Sequence, residues 1–138
     1  MDLPYPDKWA ISVYKRVWDT TITHRYFEYP IPAWYYAFRA GFTELTRDRE
    51  VFIHELQTEA WLPNGFEMPD APIDELYKSM NPDRLVDRIE YGKAAGMRSF
   101  YLWGVEWWYQ MKTQRDAPEL WDAAKIELEK IETENSAL

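Results

Sequence analysis

Two glutamates stand beside tryptophans in the sequence, each close to a short apolar run. Glu55 follows the run at residues 51–54, and Glu106 lies in a tryptophan-rich segment at residues 103–108. Indole rings give a flat platform for a sugar ring, and a carboxylate beside them can attack an anomeric carbon or stabilise an oxocarbenium ion. These residue types favour chemistry on glycosidic bonds. For Glu55, a solvated carboxylate at a strand end is the alternative.

The elements that must position these residues alternate between strand-like and helical patterns, which is typical of β/α units and a parallel sheet. We predict strands at residues 9–14, 51–54 and 99–103, so that Tyr14 and Glu55 close the first two strands. Neighbouring strands lie about 4.8 Å apart, which would place Glu55 beside the tryptophan-rich segment. Helices are predicted at residues 33–45, 82–95 and 117–136, shorter helical segments at 73–80 and 105–112, and loops at 15–31 and 55–72.

Capping residues and apolar spacing mark the helices. Asn81 followed by Pro82 is an N-cap with proline at the first helical position, and Gly96 is placed to end that helix. The last helix, which Pro118 opens, is predicted to be amphipathic. The apolar stripes are Trp34, Phe38, Phe42 and Leu45 in the first helix, Leu85, Ile89 and Gly92 in the next, and Trp121, Ala124, Leu128 and Ile131 in the last.

Three parallel strands make a poor sheet by themselves, because both edges stay unpaired. The chain is therefore expected to be a piece of a larger sheet or to complete one by self-association. We favour the piece.

Composition excludes several classes of protein. A hydrophobic share of 46% excludes a disordered chain, and a formal charge of −8 argues against nucleic acid, whose binding needs lysine and arginine. The absence of cysteine excludes disulfides and thiolate metal sites. We see no histidine and glutamate cluster at metal-ligand spacing, no phosphate-binding loop and no serine nucleophile elbow. We therefore expect neither a metal nor a cofactor.

The sequence shows no run of 18 apolar residues that would span a membrane. Its first residues show no basic segment followed by an apolar one, so we expect no signal peptide, and the localisation stays open. The 8 tryptophans and 10 tyrosines exceed what a small core needs. They favour sugar stacking, with an aromatic-rich core or a subunit interface as the alternatives.

The motifs carry a resemblance. Three segments resemble a group of bacterial barrel proteins. They are Glu-Leu-Gln-x-Glu-x-Trp at residues 55–61, Tyr-Leu-Trp-Gly-x-Glu-Trp-Trp-Tyr at residues 101–109, and residues 11–19. More broadly, the order of features is similar to the last three strands of the TIM-barrel glycoside hydrolases that include cellulases and β-galactosidases. The resemblance covers residues 9–125, and Ala60 departs from it where proline is expected. It implies that residues 1–138 are one domain, the C-terminal part of a (β/α)₈ barrel with three parallel β/α units corresponding to strands 6–8.

The resemblance also implies roles for residues. Glu55 would be the nucleophile of a retaining mechanism on O-glycosidic bonds, with Tyr14 as its hydrogen-bonding neighbour. Trp103 and Trp107 would form the floor of a sugar subsite. Further implied substrate contacts are Gln57, Glu59, Trp61 and Glu106.

Structural alternatives stand beside these roles. Tyr14 could pack inside the barrel, and Glu59 could be an exposed loop carboxylate. Trp108 and Tyr109 are expected to pack against the last helix. His54 is expected to point away from Glu55, since neighbours along a strand alternate faces.

A retaining mechanism needs two carboxylates about 5–5.5 Å apart. The resemblance places the acid/base glutamate on strand four, which is not among these three strands. Glu59 or Glu106 is the local alternative. The chain is thus expected to supply the nucleophile half and to be inactive alone, with a carbohydrate and the rest of the barrel as partners. A non-catalytic carbohydrate-binding barrel and a self-associating structural fragment are the rival functions.

Overall fold

The computed structural model of the chain describes residues 6–137. Residues 1–5, part of the segment in which we expect no signal peptide, lie outside this range. The elements are β1 (Lys8–Val13), β2 (Arg16–Trp18), β3 (Tyr26–Glu28), α1 (Ala33–Arg47), β4 (Glu50–Gln57), α2 (Ile73–Ser79), α3 (Pro82–Ala94), β5 (Phe100–Trp103), α4 (Val105–Gln114) and α5 (Glu119–Ser136).

The main sheet has three parallel strands in the order β1-β4-β5. The mixed α/β class and the parallel arrangement are therefore confirmed. Strands that follow one another along the chain are neighbours in the sheet, and helices make the connections. Among the described residues, β1 and β5 each leave one edge unpaired.

Helices cover one face of this sheet. Val13, Ile53 and Leu56 are fully buried and pack with Ala95, next to α3, and with Tyr36 of α1. A second core lies among α2, α3, α4 and α5, built on Leu76, Met80, Leu85, Ile89, Met111 and Leu120. Because side chains alternate along a strand, the opposite face of the sheet carries the exposed residues Ala10, Ser12, His54, Tyr101 and Trp103.

The predicted capping of α3 is confirmed. Asn81 Oδ1 accepts a hydrogen bond of 2.9 Å from the backbone N–H of Arg84, and Leu85 and Ile89 are buried. Gly96 has a φ of +67°, the left-handed conformation that ends a helix and that glycine adopts without strain.

A β-bulge interrupts β4. Ile11 pairs with Ile53, but the next residue of β1, Ser12, pairs with Glu55, so His54 is an extra residue on β4. The ladder between β4 and β5 shifts over the same stretch. A bulge bends its strand and redirects the side chains that follow, which decides the geometry of the site described below.

Four features differ from the sequence-based expectation. Residues 15–31 are not an irregular loop, since β2 and β3 form an antiparallel hairpin there. β4 continues to Gln57, so Glu55 lies inside the strand. The apolar stripe of α1 does not face the sheet; its four residues are 58–85% exposed, and Ala40 faces inward instead. In α5 Ala124 is buried as expected, but Leu128 is exposed.

The hairpin is fastened to α3 by an ion pair. Arg88, buried in α3, donates from Nη2 to Oε1 of Glu28 over 2.9 Å. Arg16 and Arg84 lie 3.6 and 3.4 Å from the other carboxylate oxygen. Breaking such a pair would leave a buried charge unpaired, which is costly. In the described part of the chain, no helix is both long and apolar enough to cross a membrane.

Candidate functional site

Glu55 lies on the open face of the sheet, opposite Ser12 of β1. Its Oε2 accepts a hydrogen bond of 2.7 Å from the Tyr14 hydroxyl and one of 3.1 Å from Ser12 Oγ. Ser12 is the last residue but one of β1, and Tyr14 directly follows the strand; being two residues apart in extended chain, the two side chains share a face. The neighbour that the resemblance implied for Glu55, Tyr14, is in place.

These contacts set the charge of the pair. The hydrogen bond from Tyr14 is the largest cause that lowers the pKa of Glu55, with Ser12 and His54 acting in the same direction against partial desolvation. Burial, followed by the hydrogen bond to Glu55 and its charge, raises the pKa of Tyr14 from 10.0 to about 12. Near neutral pH Glu55 is therefore an ionised acceptor and Tyr14 a neutral donor.

His54 does not point away from Glu55, and the expectation that it would was wrong. Its Nε2 lies 2.8 Å from Ser12 Oγ, and its Nδ1 lies 3.8 Å from Oε1 of Glu55. The reason is the bulge, because alternation between faces fails where one strand carries an extra residue.

Ser12 is a site residue that the sequence reading did not single out. The signal for it was its spacing of two residues from Tyr14 on a predicted strand, which puts both side chains on the same face as Glu55. A serine in an apolar run draws attention only once its partner is known.

Gln57, an implied substrate contact, is part of the scaffold. It is 1% exposed. Its Oε1 accepts from the backbone N–H groups of Lys15 and Arg16 at 3.0 and 2.9 Å, and its Nε2 donates to the carbonyl of Arg16 at 2.6 Å. Its Nε2 also donates to the carbonyl of Glu59 at 3.3 Å, so the amide joins the start of the hairpin to the end of β4 and the loop that follows.

The aromatic residues of the two motifs divide into an exposed and a buried set. Trp61 and Trp103 are 45% and 47% exposed, and the Trp61 ring meets the Tyr14 ring edge-on at 5.8 Å. Trp107, an implied floor residue, is only 3% exposed and belongs to the helical core. The structure therefore leaves Trp61 and Trp103 available to a ligand, but not Trp107.

The two residues expected to pack against the last helix do so differently. Trp108 is buried and donates from its indole N–H to the carbonyl of Thr58 over 2.8 Å, which ties α4 to the end of β4. Tyr109 contacts Trp121 of α5 at 5.6 Å between ring centroids but stays exposed.

Glu59 and Glu106 form a second acidic group near Trp103. Burial, followed by the charge of Glu106, raises the pKa of Glu59, and a hydrogen bond from Trp103 opposes this rise. Gly104 lets the chain approach closely here: its φ is +136°, and a Cβ at this position would lie 3.0 Å from the backbone nitrogen of Glu59. Glu59 is thus half-buried, and is not the exposed loop carboxylate considered above.

No protein-family model, curated protein or solved structure gives a significant match to the chain. Within residues 6–137, no three histidine, aspartate or glutamate side chains are grouped so as to hold a metal ion. The candidate site thus has an ionised carboxylate held by two hydroxyl donors. The same region contains the exposed indoles of Trp61 and Trp103 and, in Glu59, a carboxyl group with a raised pKa.

Proposed function

We propose that the chain contributes the nucleophile half of a retaining glycoside hydrolase site acting on O-glycosidic bonds. The observation that carries this proposal is the Glu55 carboxylate, which accepts from Tyr14 over 2.7 Å on the open face of the sheet. A nucleophilic carboxylate must be ionised at the pH of the reaction, and the lowered pKa of Glu55 meets that need.

In the first step a Glu55 oxygen forms a bond to the anomeric carbon. The bond from that carbon to the leaving oxygen breaks, and the leaving oxygen takes the electron pair and, for an ordinary sugar, a proton from an acid residue. Water then attacks the anomeric carbon and gives its proton to the acid residue, now acting as a base; the bond from that carbon to Glu55 breaks and the carboxylate is restored. The two hydroxyl donors on Oε2 fix the orientation of the carboxylate throughout.

Trp61 and Trp103 support a sugar substrate, because both are nearly half exposed. Trp61, in the loop after β4, meets the ring of Tyr14 at 5.8 Å, and Trp103, the last residue of β5, pairs with Gln57 of β4. Glu59 and Glu106 would accept hydrogen bonds from sugar hydroxyls. The raised pKa of Glu59 also suits a proton donor, which makes it the local candidate for the second carboxylate.

We further propose that the three β/α units correspond to strands 6–8 of a barrel. Parallel strands in sequential order with helices on one face support this, as doubly wound sheets carry helices on both faces. Two features support a covering partner on the β1 side: the exposed stripe of α1, and a cavity of about 380 Å³ between β1 and α1. The proposed partner is the remainder of the barrel, and a second copy of the chain is the other outcome.

A labelling experiment tests the nucleophile without requiring the acid residue. In 2,4-dinitrophenyl 2-deoxy-2-fluoroglycosides the leaving group departs without a proton, and the fluorine slows hydrolysis of the ester. We expect a panel of gluco, galacto, manno and xylo reagents to yield one that attaches a single sugar to Glu55, as located by mass spectrometry of peptides.

The matched controls are Glu55→Gln, which should abolish labelling, and Glu59→Gln, which should retain it because no acid is needed. Labelling at another residue would refute Glu55 as the nucleophile. So would the absence of labelling with every reagent, when circular dichroism shows that the chain is folded.

A non-catalytic carbohydrate-binding role is the second candidate, favoured by the exposure of Trp61 and Trp103. Stacking on indoles needs no second carboxylate. This role predicts a saccharide-dependent change in tryptophan fluorescence that Trp103→Ala removes. Trp34→Ala is the control, since Trp34 is also exposed but lies on α1. Equal responses from the two variants would refute a sugar site at Trp103.

A further inference from the structure

Ser12 lies between His54 and Glu55, and its hydroxyl can donate a hydrogen bond to one of them. Its Oγ lies 2.8 Å from His54 Nε2 and 3.1 Å from Glu55 Oε2. A serine hydroxyl donates one hydrogen bond and accepts others. If it donates to Glu55, then His54 must carry a proton on Nε2 and donate to Ser12. If it donates to His54 instead, Glu55 loses that bond.

The first arrangement is favoured by the charge on Glu55. An ionised carboxylate is a stronger acceptor than a neutral imidazole nitrogen, so the proton of Ser12 is directed to Oε2. The result is a chain of donors running from His54 Nε2–H through the Ser12 hydroxyl to Oε2, where the Tyr14 hydroxyl also donates at 2.7 Å.

The two carboxylate oxygens of Glu55 are consequently unequal. Oε2 accepts two hydrogen bonds. Oε1 accepts none from residues 6–137 and lies 3.8 Å from His54 Nδ1, beyond hydrogen-bonding distance. In neutral His54 with the proton on Nε2, Nδ1 presents a lone pair to Oε1. In protonated His54, Nδ1 carries a proton and the ring carries a positive charge next to that oxygen.

We propose that His54 is a positioning residue which, through Ser12, reserves Oε1 of Glu55 for attack and withdraws it when the imidazole becomes protonated. This inference rests on the proposed role of Glu55 as nucleophile. It deepens that role by naming the attacking oxygen and a group that regulates it.

Other titratable groups face this pair from each neighbouring strand. Tyr14 at the end of β1 donates to Oε2, and Glu59 beyond β4 acts on Tyr14 through its charge. On β5, Tyr101 is exposed on the same face and contacts Phe52 of β4 edge-on. Among these, His54 alone would bring a positive charge, so its protonation has an electrostatic signature that can be separated from the others.

Carbon NMR on the full chain tests the coupling directly, without any substrate. The side-chain carboxyl carbon of Glu55 and the ring of His54 are followed as the pH is varied. We expect the Glu55 signal to show its own protonation and a smaller second inflection that coincides with the protonation of the His54 ring.

Three variants make the result specific. His54→Gln should remove the second inflection while its amide still donates to Ser12. Ser12→Ala should raise the pKa of Glu55, because one donor to Oε2 is lost. His24→Gln, at the other histidine of the chain, is the matched control and should leave both inflections unchanged.

The labelling reagent then separates this inference from the proposed function. The rate of labelling should fall as His54 is protonated in the wild type and should lose that pH dependence in His54→Gln. Labelling of Glu55 without the second NMR inflection, or with an unchanged pH profile in His54→Gln, would overturn the role of His54 and leave the nucleophile standing. The NMR inflection without labelling would instead refute the nucleophile.

Discussion

The Tyr14 hydroxyl lies 2.7 Å from Oε2 of Glu55, although 41 residues separate the two along the chain. Pairing between β1 and β4 creates this contact, since Ser12 is in register with Glu55. The same hydrogen bond is the largest cause that lowers the pKa of Glu55, and it adds to burial in raising the pKa of Tyr14. Removing this hydrogen bond should therefore change the pKa values of both residues.

Tyr14→Phe should raise the pKa of Glu55 towards its ordinary value of 4.5. A carboxyl group with a lowered pKa in the folded state stabilises the fold above its unfolded pKa, and that contribution is lost as the pH falls through the folded value. The free energy of unfolding, measured by urea denaturation, should therefore be lower in the variant than in the wild type at neutral pH. In strong acid the two should differ little. Tyr101→Phe is the control. An equal loss at both pH values would show that the effect comes from packing instead.

Alkaline titration should separate two tyrosine–glutamate pairs. The pKa values of both Tyr14 and Tyr77 are raised to about 12, and each hydroxyl donates to a glutamate, Glu55 and Glu119 respectively. A tyrosine whose pKa is raised in the folded state stabilises the fold at pH values below its unfolded pKa of 10.0. That contribution to the free energy of unfolding is lost as the pH rises towards 12. Glu55→Gln should lower the pKa of Tyr14 alone, and Glu119→Gln that of Tyr77 alone. Carbon NMR of the ring carbons would show a joint shift if the assignment were incorrect.

Glu59→Gln should stabilise the protein at neutral pH. The pKa of Glu59 is raised by burial and by Glu106, so its charged form opposes folding. The stabilising effect of its neutral form is complete below the unfolded pKa and is lost as the pH rises through the folded one. The increase in the free energy of unfolding of the variant, measured by urea denaturation, should accordingly be absent in acid. Glu106→Gln should lower the pKa of Glu59. If the NMR titration of the Glu59 carboxyl carbon is the same in this variant as in the wild type, the charge of Glu106 does not act on Glu59.

Gly92→Ala and Gly41→Ala should have opposite effects on stability. A Cβ at Gly92 would lie 2.8 Å from Leu56 Cδ2 and 2.9 Å from Phe100 Cδ2, in the packed layer between α3 and the sheet. We expect a loss of about 1–3 kcal/mol from overpacking. At Gly41 in α1 nothing lies within 4 Å of the new Cβ, so alanine should add about 0.5–1 kcal/mol through its helix propensity. Equal changes in thermal denaturation would argue against this packing.

The stripe of α1 should govern association. Phe38 is 66% exposed and stacks on its helical neighbour Phe42, at 6.4 Å between ring centroids. Phe38→Ser should lower the mass measured by sedimentation if copies of the chain associate through this face, with little loss of unfolding free energy. Ile126→Ser, an exposed position on α5, is the control. If both variants and the wild type are monomeric, a second copy is excluded as the partner.

Several elements could be predicted because their signals are local. Apolar runs located β1, β4 and β5, and Asn81-Pro82 and Gly96 located the ends of α3, since capping depends on a few adjacent residues. The hairpin of β2 and β3 was missed. Its strands have three residues each, too few to show a period.

Face assignments were harder, because more than one set of residues satisfies the same period. In α1 the large apolar residues and the inward-facing Ala40 both lie on helical stripes, and only the packed sheet distinguishes them. For Trp103 and Trp107 the residue type was the same. Their exposures of 47% and 3% follow from α4 turning one of them into the helical core.

The sequence by itself determined the α/β class, the order of the strands and the placing of Tyr14 and Glu55 at two neighbouring strands, because these follow from local periodicity and chain connectivity. Only the tertiary structure decided what surrounds Glu55. One extra residue in β4 turned His54 to the same face, placed Ser12 between the two side chains, and left Gln57 buried against the hairpin. A bulge depends on pairing with strands distant in sequence, and no local pattern records it.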